Sequence, residues 1–97
     1  MIIIINKKGV FNMKKFNYTI TDPVGIHARP AGLLVKEAAK FKSAVSVEKN
    51  GKTADAKKIF GLMGLGVKAN DTVTVSADGA DEDSAIEALE NFFKSNL

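Results

Sequence analysis

The chain has one histidine, His27, and one arginine, Arg29, and they stand two residues apart in Gly25-Ile26-His27-Ala28-Arg29-Pro30-Ala31-Gly32. Imidazole can serve as a nucleophile, and a guanidinium stays charged at any working pH and offers a fork of donors matched to phosphate or carboxylate oxygens. The apolar spacing that begins at Ala31 predicts a helix opening at this point. The first amides of a helix have no intrahelical partner and form the positive end of its dipole, so they attract an anion such as a phosphoryl group. A neutral ring nitrogen in that place is a nucleophile beside a ready cradle for the group it would accept. The same residues also fit a plainer role, with His27 as a helix cap or a surface side chain, and spacing alone leaves both open.

The elements that would position this group follow from periodicity. Phe16, Tyr18 and Ile20 alternate with polar residues over 16–21, the period of a half-buried strand, and Asp22-Pro23-Val24-Gly25 ends it. Gly25 gives the backbone freedom for a sharp approach to the helix. Ala31, Leu34, Ala38 and Phe41 keep helical spacing over 28–41, with Lys36, Glu37 and Lys40 on the other side, and Pro30 falls in the first turn, where a missing N–H costs nothing. Residues 44–49 and 52–56 flank Asn50-Gly51, a pair suited to a type I′ hairpin. Over 57–66, Ile59, Leu62 and Met63 are spaced as a short helical stripe and three glycines limit its length. Residues 71–77 alternate as a strand. Residues 80–95 predict a second long helix, with Asp81, Glu82 and Asp83 at its positive end, Ile86, Leu89 and Phe93 as its buried stripe, and Lys94 in the last turn. The order is βαββαβα, and one-faced strands with amphipathic helices imply an α+β fold: a four-stranded, mainly antiparallel sheet with three helices on one face.

Composition narrows the chemistry. At 97 residues and 45% hydrophobic content one domain is expected, and the lack of cysteine excludes disulfides, thiolate catalysis and Cys-ligated metals. One histidine and scattered carboxylates leave little for any other metal site, so neither metal nor cofactor is expected. In Met1–Asn12 the apolar run precedes Lys7 and Lys8, the reverse of a signal peptide, and it is too short to span a bilayer. A cytoplasmic protein without membrane insertion is the expectation. Those two lysines supply two of the three net positive charges, and basic residues are not interleaved with aromatic ones, which argues against nucleic acid. Lysines crowd the middle of the chain and acids the segment 71–90, so one face can be basic and suited to acidic partners.

Gly25-Ile26-His27-Ala28-Arg29-Pro30-Ala31, followed by Asn50-Gly51-Lys52 and by the segment from Ala56 to Val67, closely resembles the HPr family, the histidine-containing phosphocarriers of the bacterial phosphoenolpyruvate-dependent sugar phosphotransferase system. The resemblance runs from Met13 to Leu97, so residues 13–97 are expected to form the carrier domain and residues 1–12 an extension, either an upstream start or an added edge strand built on Ile2–Ile5. It implies an open-faced β-sandwich and a monomeric carrier that is not itself an enzyme. Its His27 ring would take a phosphoryl group from phosphorylated enzyme I and pass it to the IIA domain of a sugar permease. The Ala28 and Arg29 amides and the Arg29 side chain would bind the phosphoryl group, and Lys36, Ile59, Phe60 and Met63 would dock the partners. Phe60 falls off the stripe of its helix, which favours docking; Leu62 and Leu65 read as core.

Two positions depart from the family pattern. Lys58 stands where many Gram-positive members carry a serine that a kinase modifies, so no such switch is expected. Val24 stands where other members have a polar residue able to orient the imidazole, leaving the ring to backbone partners. The alternatives are a paralogous carrier in a nitrogen-related or regulatory branch, and a small α/β binding module in which His27 is structural. Gly61, Gly64 and Gly66 match neither a dinucleotide fingerprint nor a Walker loop.

Overall fold

In the computed structural model, which describes residues 14–97, seven elements follow in the expected order. They are β1 (Lys14–Thr19), α1 (Ala28–Ala39), β2 (Ala44–Lys49), β3 (Lys52–Asp55), α2 (Ile59–Gly64), β4 (Thr72–Asp78) and α3 (Glu82–Asn96). The extension over residues 1–12 and its possible Ile-rich edge strand lie outside the described residues. The strands form one sheet in the order β1-β4-β2-β3, every neighbouring pair antiparallel. Strand β4 therefore inserts between β1 and β2, and the chain crosses over it through α1.

Alternation decides which face is covered. Val45, Val47, Ala54, Val73, Val75 and Ala77 are buried, whereas Asn17, Thr19 and Thr72 on the other side are exposed. That outer face is laced by short polar contacts, Thr74 Oγ1 to Asn17 Oδ1 at 2.7 Å and Thr19 Oγ1 with Thr72 Oγ1 at 2.9 Å. The helices close the inner face around Leu34, Leu62, Leu89 and Phe93, all fully buried. The Phe93 ring meets Phe16 and Tyr18 edge-on at 5.7 and 5.5 Å, tying α3 to β1 through the geometry aromatic pairs prefer.

The hairpin turns at Asn50 and Gly51 with φ of 52° and 84°, and Lys49 opposes Lys52, as a type I′ turn requires. Helix α2 ends in a left-handed residue, Gly66 at φ 66°, whose N–H donates to the Met63 carbonyl at 3.2 Å. Two stripes need correction. Ala85, not Ile86, completes the buried face of α3 with Leu89 and Phe93, since the partly buried Ile86 lies one position round the helix; and Met63 is 40% exposed, so Leu62 alone of the α2 stripe is fully buried. Helix α1 ends at Ala39, two residues before Phe41, where Lys40 and Phe41 N–H groups turn back to the carbonyls three residues earlier.

Asp81 caps α3, yet it makes no side-chain cap bond. Its carboxylate instead reaches across to the α1–β2 connection, accepting from the Ser43 hydroxyl at 2.5 Å and from the amides of Ser43 and Lys42 at 2.9 Å each. The Ser43 hydroxyl foremost, then the Lys42 amide, pull its pKa from an ordinary 3.8 to about 2. A carboxylate held lower in the folded state stabilises the fold above its ordinary value, and that contribution disappears as pH falls through about 2. Asp81→Asn is therefore expected to flatten the fall in thermal midpoint between pH 4 and pH 2, which differential scanning fluorimetry across that range measures.

Candidate functional site

The turn between β1 and α1 is built by local bonds. Asp22 Oδ1 accepts the Val24 N–H at 2.8 Å, the Asp22 carbonyl accepts the Gly25 N–H at 3.1 Å, and Gly25 takes φ 79°. Ile26 is buried and its N–H donates to the Val67 carbonyl at 3.1 Å, so the residue just before the histidine is pinned to the loop that follows α2. His27 is the N-cap of α1, with extended backbone (φ −118°, ψ −170°), and its carbonyl accepts the first helical bond, from Ala31 at 2.9 Å. Its side chain makes no cap bond and is half-buried, so the imidazole is committed to no helical role.

The order of residues behind His27 explains the cradle. Pro30 has no N–H, and among the described residues no acceptor meets the Ala28 or Arg29 N–H. These two amides lie at the positive end of a twelve-residue helix, the end His27 caps. Arg29 is exposed and, among the described residues, bound to no carboxylate, while Pro30 is buried and anchors the first turn. His27, Arg29 and Pro30, together with Asp22, Leu33 and Asn96, line an open cleft of about 300 Å³. An imidazole and a guanidinium at one mouth, next to helix amides that have no acceptor among the described residues, have the chemistry to take a phosphoryl group and bear its charge. No group of residues able to hold a metal ion occurs among the described residues.

His27 and Arg29 thus line one cleft, while Ala28, the first residue of α1, is exposed and is not part of its lining. Lys36 lies in the last turn of α1, about 13 Å along the helix from His27, and is exposed. Helix α2 rests on α1 at Gly32, where the Ile59 Cδ1 stands 3.9 Å from the place a Cβ would occupy; Ile59 is half-buried there. Phe60 is 85% exposed, and Met63 and Leu33 lie partly bare. Leu33 was not anticipated, although it falls off the Ala31–Leu34–Ala38 stripe as Phe60 falls off its own. Asp22 and Asn96 were missed as well. Asn96 comes to the cleft through the end of α3, where Leu97 is buried and its carbonyl oxygen accepts from Thr21 N, Asp22 N and Thr21 Oγ1 at 2.6 to 2.9 Å; no local pattern announces contacts between residues so far apart in the chain.

Residues 14–95 match the family model PTS-HPr, described as the PTS HPr component phosphorylation site. The chain belongs to the HPr family. The phosphocarrier protein HPr of Mycoplasma genitalium is 49% identical over 85 residues, covering 87% of this chain and 97% of that protein. Among solved structures, the histidine-containing phosphocarrier protein of a mycoplasma superposes with TM-score 0.82 at 41% identity, over 84% of this chain and 93% of that one. HPr-C-His from Thermoanaerobacter tengcongensis gives 0.81 at 45% identity, over 84% and 92%. The open sheet with three helices is thus the HPr fold, and the chain is a phosphocarrier of the phosphotransferase system by family. Among the described residues, none of its helices is long and apolar enough to cross a membrane.

Proposed function

We propose that His27 is the phosphoryl acceptor of an HPr carrier that is loaded by phosphorylated enzyme I and discharged to the IIA domain of a sugar permease. A lone pair on the ring nitrogen, Nδ1 by family resemblance, attacks the phosphorus; a P–N bond forms on His27 as the bond to the donor breaks. The transfer to IIA reverses this. The free Ala28 and Arg29 amides and the Arg29 guanidinium stabilise the equatorial oxygens, and no cofactor takes part. The observation that carries this reading is the N-cap histidine whose side chain is unused by the helix, followed by two amides and an arginine that have no partner among the described residues. Its test is to mix the chain with phosphoenolpyruvate, magnesium and enzyme I and look for an acid-labile, base-stable phosphoryl adduct; no adduct at saturating donor refutes it.

The reading includes a single-chain carrier acting in the cytoplasm, and docking through Lys36, Ile59, Phe60 and Met63. Phe60, nearly all of it in solvent, has little to lose in the free protein and much to gain in a complex. Phe60→Ala is expected to raise the apparent KM of enzyme I for the carrier by about tenfold while moving the unfolding free energy by less than about 0.5 kcal/mol. Steady-state transfer assays and thermal melts on the same preparation check both halves. Lys58 caps α2 with no side-chain cap bond. In place of a modifiable hydroxyl it offers a fixed cation, which favours acidic partner faces at low salt.

A further inference from the structure

The segment from Gly66 to Asp71 lies between α2 and β4, and two of its residues, Gly66 and Asn70, take left-handed backbone at φ 66° and 72°. It carries Val67, whose carbonyl accepts the Ile26 N–H and sits 2.3 Å from the place a Cβ on Gly25 would fill. The position of this one carbonyl therefore sets the position of the residues immediately before His27.

Lys49, at the end of β2, reaches both ends of the segment. Its Nζ donates to the Gly66 carbonyl at 2.8 Å and stands 3.0 Å from Asp71 Oδ2. The same carboxylate oxygen accepts the Lys68 N–H at 2.8 Å, so Asp71 grips the residue after Val67 while Lys49 grips the residue before it. The Asp71 backbone is itself held to β1's end, its carbonyl accepting from Ile20 N–H at 2.9 Å. The Lys68 amide and the Lys49 ammonium both keep the Asp71 pKa below the ordinary carboxylate range, so the carboxylate stays charged at neutral pH. The side chains of the pair are 18% and 32% exposed, partly covered at the end of the sheet. What they fix is local.

We propose that Lys49 and Asp71 are positioning residues for His27, clamping the Gly66–Lys68 backbone so that the Val67 carbonyl holds Ile26 and thereby the ring. This rests on the reading of His27 as phosphoryl acceptor. Neither residue touches the transferred group, and neither belongs to the docking set, so the clamp acts on turnover and leaves partner affinity alone.

The test has two arms on the intact chain. In the free protein, hydrogen exchange of the Ile26 amide followed by NMR is expected to accelerate about tenfold in Lys49→Met and in Asp71→Asn, as a local opening does, with the β4 amides unchanged. In transfer from phosphorylated enzyme I, kcat is expected to fall on the order of tenfold, KM to stay within about twofold, and Lys49→Arg to restore most of the loss. The double variant is expected to be no worse than either single one, because both break the same clamp. Unchanged Ile26 exchange in Lys49→Met overturns the proposal, as does a loss that Lys49→Arg fails to recover or that appears in KM. Should the parent chain accept no phosphoryl group at all, the acceptor reading fails, and the exchange arm still decides whether the clamp exists.

Discussion

Replacing His27 by alanine is expected to abolish the acid-labile phosphoryl adduct and to lower transfer by at least about 10⁴-fold, since the chain contains no second imidazole to take over. The fold survives the change. His27 contributes its backbone carbonyl to Ala31, which alanine also supplies, and its side chain caps nothing. The unfolding free energy is accordingly expected to move by less than about 1 kcal/mol. Phosphate incorporation and a urea melt, run side by side, separate loss of the nucleophile from loss of the fold; an adduct that persists in His27→Ala places the acceptor elsewhere.

The second large effect is structural. A Cβ on Gly25 would lie 2.3 Å from the Val67 oxygen and 2.7 Å from Lys68 Cα, both backbone atoms, and φ 79° disfavours any L side chain. Nothing there is the loose end of a flexible side chain, so the loop and the turn must part. Gly25→Ala is expected to cost roughly 2 to 4 kcal/mol and to lower the thermal midpoint by at least about 10 °C. Gly51→Ala is the matched control: it has the same kind of backbone, φ 84°, but no atom within 4 Å of the added carbon. Its expected cost of about 1 kcal/mol isolates the conformational part, and the difference measures the close approach of Val67 to the histidine turn. Equal melts for the two variants contradict that account.

The hairpin illustrates what local sequence can say: Asn50-Gly51 determines its own turn, and the turn then sets the pairing of Lys49 with Lys52. The place of His27 at the start of a helix was legible for the same reason, because Gly25, Pro30 and the first apolar residue, Ala31, all lie within four residues of it. Asp81 shows where this stops. An acid ahead of a helix reads as a dipole partner, but its carboxylate serves Ser43 and Lys42 across the fold, a choice made by the α1–β2 connection arriving there. Ala85 lies at the centre of the buried face and Ile86 at its edge, where it packs against the core only in part, and periodicity does not rank two adjacent apolar residues. The lining of the cleft by Asn96, and the Lys49 contacts with Gly66 and Asp71, depend on elements far apart in the chain and leave no spacing to read.

On the proposed reading, one ring at one helix mouth would serve for both loading and unloading. Supplier and recipient would then compete for identical ground, so each cycle would contain two departures as well as two arrivals. Tight complexes would throttle such a courier. Throughput would then be set by how briefly each companion lingers, and a small bare apolar surface such as that of Phe60, Met63 and Leu33 suits contacts quick to form and quick to dissolve.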